Sequence, residues 1–180
     1  MNILTTVLEV IATIVVLVLV IALFVPKAYN VQRNIIINKA SQQVFDYVKF
    51  LRNQDHYSKW VMMDPNKRMS YKGTDGTVGY TAEWDSDMKQ AGKGEQTITR
   101  IVEGERVDIR VVFIKPFAGI AETYISTEPA ADASTTMVVW NFDSKMAYPM
   151  NFMLLFMSME KMLGKDMEES LANLKRNLEA

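Results

Sequence analysis

Few side chains in this sequence have clear chemical potential. His56 is the only histidine, and it stands in Asp55-His56-Tyr57, where a neighbouring carboxylate could orient the imidazole as a general base. A solitary histidine in a polar helix–loop segment is more commonly exposed and structural, and that is the expectation. Cysteine is absent, which removes disulfides, thiolate nucleophiles and sulfur-ligated metals together. No carboxylates cluster at ligand spacing, so no metal site is expected, and an iron site built on two histidines is impossible within the chain. Gly73-Thr74-Asp75-Gly76 and Gly92-Lys93-Gly94 read as hairpin turns, because neither continues as a phosphate loop or a dinucleotide fingerprint. No cofactor is expected.

Proton transfer in an apolar cavity would need an inward-facing polar pair. Glu83, Arg100, Arg110, Glu122 and Tyr124 fall in extended segments and are the candidates. Cross-strand pairing at the surface accounts for the same residues more simply. The side chains best suited to an apolar ligand are aromatic and methionine. Thirteen methionines give flexible, polarizable groups that repack around varied shapes. Trp60, Tyr80, Trp84, Phe113, Tyr124, Trp140, Met153 and Met157 are therefore the expected ligand-lining residues, although ordinary core packing uses the same types.

The elements that must position these residues follow from the pattern. Tyr29–Ile37 carries Val31, Ile35, Ile36 and Ile37 and reads as a strand. Ser41 is placed to cap a helix whose apolar face is Val44, Phe45, Val48 and Leu51. A short second helix is expected around Asn53–Trp60. Six strands then follow, at 67–72, 79–86, 95–102, 106–114, 119–128 and 135–143, separated by short turns rich in Gly, Pro and Asp. Val107, Ile109, Val111 and Phe113 share one strand face, as do Val138, Trp140 and Phe142. A single long helix is expected from Tyr148 to Leu178, with Leu163, Met167, Leu171, Leu174 and Leu178 on one stripe. The order strand, short helices, six strands, long helix is α+β: an antiparallel sheet that curls needs the long helix to cover its open face.

The N-terminus is different in kind. Between Ile3 and Val25, 19 of 23 residues are Ala, Val, Ile, Leu or Phe, and Glu9 is the only charge. A helix of that length spans roughly 34 Å, enough for a bilayer core of about 30 Å. No basic residue precedes it and bulky Leu23-Phe24-Val25 ends it, which argues for a retained anchor over a cleaved signal. Lys27, Arg33 and Lys39 follow the span, so the positive-inside rule places the rest in the cytoplasm. The expected organisation is an anchor at 1–28, crossing the bilayer with residues 3–25, and one domain at 29–180. That domain is electrically balanced, with all 20 basic residues and 20 of the 21 acids after Pro26, which speaks against nucleic acid as a partner.

Four segments carry a resemblance. They are Arg33-Asn-Ile-Ile-Ile-Asn-Lys-Ala-Ser-Gln-Gln-Val-Phe-Asp-Tyr-Val48, Gly94-Glu-Gln-Thr-Ile-Thr-Arg-Ile101, Lys115-Pro-Phe117 with Thr136-Met-Val-Val-Trp140, and Gly164-Lys-Asp-Met-Glu-Glu-Ser-Leu-Ala-Asn-Leu-Lys175. In that order they resemble the START-like or Bet v 1-like superfamily, and within it the polyketide cyclase/dehydrase-like SRPBCC proteins. The resemblance covers about residues 29–178. It implies a helix-grip fold of about seven strands, with two short helices between the first two, wrapped on the C-terminal helix. It also implies a cavity for a small hydrophobic ligand such as a lipid or isoprenoid, in a protein that need not be an enzyme. The superfamily contains cyclases and co-chaperones as well, so a cyclase or dehydratase and a protein-interaction module are the alternatives; fold does not choose among them.

Overall fold

The computed structural model describes residues 2–132 and 134–180. Helix α1 (Ile3–Phe24) leads into β1 (Ala28–Ile37), then α2 (Ser41–Val48), a 3₁₀ turn (Leu51–His56) and α3 (Lys59–Met62). Strands β2 (Arg68–Lys72), β3 (Thr81–Asp85), β4 (Lys93–Val102), β5 (Arg106–Lys115), β6 (Gly119–Pro129) and β7 (Thr136–Lys145) follow. A second 3₁₀ turn (Met150–Leu155) and α4 (Met159–Glu179) complete the chain. The strands form one antiparallel sheet in the order β1-β7-β6-β5-β4-β3-β2. This is the expected helix-grip arrangement, and each strand lies within about two residues of where the turn chemistry puts it.

Alternation decides which face is core. Val107 and Ile109 of β5, Ala121 and Ile125 of β6, and Val138 and Trp140 of β7 point to the same side and are buried. Met167, Leu171 and Leu174, at spacings of four and three, present one buried stripe of α4 to that side. Each such side chain contributes about 2 kcal/mol by leaving water.

Helix α4 packs most closely on β1, and Arg33 fixes the pairing. Its guanidinium reaches from β1 to Glu160 (2.6 Å), Glu168 (2.5 Å) and the Glu160 carbonyl (3.1 Å). It crosses the helix over Gly164, where a Cβ would sit 2.0 Å from an Arg33 nitrogen. Mid-helix glycine costs about 1 kcal/mol relative to alanine; here it is what lets the arginine through.

Two local expectations are corrected. Ser41 is the first helical residue and not the cap: Ala40 occupies that place without a side-chain bond, and the Ser41 hydroxyl turns to the Thr127 carbonyl at 3.4 Å. The closing helix is not continuous from Tyr148. Phe156 and Met157 interrupt it, and α4 starts afresh with Ser158 as its cap, accepting from the Lys161 N–H at 3.3 Å. The separated turn packs on the end of α1. There buried Asn151 donates its amide to the Ala22 carbonyl (2.7 Å) and the Val25 carbonyl (2.9 Å), and the Tyr148 hydroxyl donates to Leu19 (3.3 Å). The last carbonyls of a helix have no partner within it; Asn151 supplies one.

Helix α1 itself is long and apolar enough to cross a membrane. Of its 22 residues only Ala22 is buried against the rest of the protein.

Candidate functional site: an apolar cavity

The curled sheet and the helices leave a cavity of about 370 Å³ between them. Ile109, Val111 and Phe113 of β5, with Trp140 and Phe142 of β7, supply its floor. Trp60 and Val61 of α3, Trp84 of β3, Met69 of β2 and Leu163 of α4 close the sides. Aromatic rings set the shape by edge-to-face packing, which ring quadrupoles favour. Trp60 meets Trp140 at 5.6 Å and 82°, and Trp84 meets Phe113 at 6.2 Å and 77°.

All three tryptophans of the chain line this cavity, and each indole N–H already has a protein partner. Trp60 donates to Asp166 (3.2 Å), Trp84 to the Ala91 carbonyl (2.9 Å) and Trp140 to the Thr123 hydroxyl (2.9 Å). With its polar edge satisfied, each ring offers the cavity hydrocarbon. Trp84 can lie flat on β4 only because residue 94 is glycine: a Cβ there would be 2.6 Å from the ring and 2.4 Å from the Val112 carbonyl.

The polar part of the wall is Gln54, Ser58, Gln90, Gln96, Thr123, Lys67 and Lys115. Thr123 donates its own hydroxyl to the Asn141 carbonyl, and Lys67 is held by the Asp64 carbonyl (3.4 Å) and the Asp55 carboxylate (3.6 Å). Among the described residues the wall carries no carboxylate, imidazole or phenol. The strand pairs considered for proton transfer face away from it. Arg110 pairs with Glu122 at 2.7 Å and Glu83 with Lys72, both at the outer surface. Arg100 and His56 are exposed. Among the described residues no group of three metal-ligating side chains comes together.

The cavity opens beside the β5–β6 turn, where Lys115, Pro116 and Phe117 form its lip and Phe117 is 73% exposed. Gly92 lets the β3–β4 loop press against this turn: its φ is +62°, and a Cβ would meet the Lys115 carbonyl at 2.0 Å.

Of the eight residues expected to line a ligand site, the structure brings Trp60, Trp84, Phe113 and Trp140 together on one cavity. The other four lie elsewhere. Tyr80 is buried under Tyr71, its hydroxyl taking a bond from Arg52 at 3.1 Å. Tyr124 is on the opposite face of the sheet beneath the Arg106 guanidinium, 3.7 Å away. Met153 belongs to the 3₁₀ turn at the end of α1, and Met157 to the break just after it. Met69, Leu163, Phe117 and the polar lining also reach the cavity, and local pattern marks none of them as ligand-facing; Leu163 reads only as part of the helix stripe.

Behind Trp140 stands Tyr57, fully buried, with its ring edge-on to the indole at 6.2 Å. Its hydroxyl has no partner among the described residues, and burial pushes the phenol well above its ordinary range. An unsatisfied buried hydroxyl is a cost. Tyr57→Phe is therefore expected to leave stability unchanged or raise it by up to about 1 kcal/mol in denaturant unfolding. A loss of that size instead would mean that the hydroxyl has a bonding partner.

Solved structures share this architecture. A protein from Nitrosospira multiformis superposes with a TM-score of 0.57 at 16% identity, covering 82% of this chain and 94% of its own. Protein CV1439 from Chromobacterium violaceum gives 0.58 at 14% identity, covering 84% and 97%. A truncated norcoclaurine synthase from Thalictrum flavum gives 0.62 at 5% identity, covering 86% and 95%. At such identities these similarities establish the fold alone. No curated protein matches the chain. The family model described as polyketide cyclase/dehydrase and lipid transport matches residues 29–179, nearly all of the sequence beyond α1, and the chain belongs to that family.

Proposed function

We propose that this protein is a membrane-tethered binder of a small apolar molecule, with residues 1–28 as the anchor and 29–180 as the binding domain. One observation carries the reading: an apolar cavity walled by every tryptophan of the chain, with each indole N–H turned to a protein partner and, among the described residues, no carboxylate, imidazole or phenol facing inward. Such a wall suits a lipid-like or isoprenoid-like ligand; the titratable groups it carries are the Lys67 amine, held by Asp64 and Asp55, and the Lys115 amine at the lip. Retention of α1 is supported by Asn151, whose buried amide completes the end of that helix from within the domain. The basic residues after the span favour a cytoplasmic domain. Tethering raises the local concentration of an apolar molecule at the cavity without requiring tight binding.

Because the three tryptophans surround the cavity, they report on it. A fatty acid brominated near the middle of its chain, added to the full-length protein, is expected to quench most of the indole emission in a saturable way. Quenching no greater than that of free tryptophan at the same concentration of the brominated acid would refute the proposal.

A further inference from the structure

The strand registers place the cavity lip and the membrane helix at the same end of the sheet. Ala28, four residues beyond α1, pairs with Lys145. Ser144 pairs with Ala121, and Gly119 with Phe113. The β5–β6 turn that forms the lip therefore lies at the end of the sheet where α1 enters. The Met150–Leu155 turn begins five residues after β7 ends and packs on the last turn of α1.

At these two turns stand large apolar side chains that nothing among the described residues covers. At the first, Phe117 in the turn and Ile114 and Ile120 on the flanking strands are 73, 47 and 54% exposed; at the second, Met150 and Leu155 and, just after the turn, Phe156 are 43, 54 and 76% exposed. Exposed apolar side chains clustered in this way mark an interaction surface. Its partner follows from position. A 22-residue helix is about 33 Å long, so with α1 across a bilayer its last residues reach the headgroup boundary, and the packed turn is held there with them. Lys27, Lys115 and Lys145 stand at the same end, suited to anionic headgroups.

We propose that both turns insert shallowly into the bilayer beside α1, so that the cavity lip opens on the lipid and an apolar molecule passes between them without crossing water. The proposal rests on α1 being retained in the membrane. The opposite end of the sheet, at the β4–β5 turn with Glu103 and Glu105, remains in water.

The absence of cysteine makes the test direct, since any introduced thiol is unique. Full-length Phe117→Cys, Phe156→Cys, Val15→Cys and Glu105→Cys would each be labelled with an environment-sensitive nitrobenzoxadiazole dye. The proteins would be reconstituted in phosphatidylcholine–phosphatidylglycerol vesicles. Probes at 117 and 156 are expected to emit to the blue of the probe at 105. Spin-labelled acyl chains should quench them at least twofold more than that probe, and iodide less than half as much. Probes at 117 and 156 that behave like position 105, while position 15 is quenched from the lipid, overturn the insertion and leave the anchor standing. A water-accessible probe at position 15 overturns the anchor and the insertion with it.

Discussion

Trp140→Ala is expected to destabilise the protein by about 3–5 kcal/mol, the usual range for truncating a buried aromatic residue. The indole is only 4% exposed and joins three features: the edge of Trp60 at 5.6 Å, the edge of Tyr57 at 6.2 Å and the Thr123 hydroxyl at 2.9 Å. Alanine removes all three contacts. It also enlarges an existing cavity, so the surroundings cannot close over the gap. In thermal unfolding the loss would lower the midpoint by roughly 10 °C for a domain of this size. Trp140→Phe keeps much of the ring packing, and about half of the loss or less is expected. Equal effects from the two variants would mean that the indole N–H, and not the ring, holds this part of the structure.

The second large effect concerns binding. Val111 is at the middle of the β5 wall, with its side chain directed into the cavity. Val111→Trp should occupy much of the space that a ligand needs, while meeting little protein. Affinity for an acyl-chain probe is expected to fall at least tenfold, which corresponds to about 1.4 kcal/mol, with stability unchanged or slightly raised. Filling a packed core would instead cost about 1–3 kcal/mol. The sign of the stability change therefore reports separately on whether the space is empty.

Much of the fold is written in local sequence. Gly92, Gly104 and the Pro129–Asp132 turn punctuate the strands, and β-branched alternation gives each strand its buried face. The site is less legible, for reasons that differ by residue. Trp140 lies between buried Val138 and Phe142, and Phe113 ends a face begun by buried Val107 and Ile109, so alternation places both inward. The same rule, applied from Ala121, Thr123 and Ile125, turns Tyr124 outward, and reading β6 in that way would have removed it from the candidates. Tyr80 precedes β3, where no period constrains it. Met153 and Met157 lie in a stretch that is apolar on every side. Such a stretch carries no helical phase, and it breaks so that Asn151 can reach α1, a contact made 129 residues away from Ala22 in the chain. Gly94 and Gly164 look like ordinary glycines until Trp84 and Arg33 are seen lying across them. Contacts of long sequence separation decided the parts that local pattern could not.

The most direct measurement of the central claim is native mass spectrometry of the full-length protein released from nanodiscs of cellular lipid. A single small apolar molecule per chain is expected on the natural protein and should be absent from Val111→Trp. Bare chains in both, or the same adducts on both, would contradict the account.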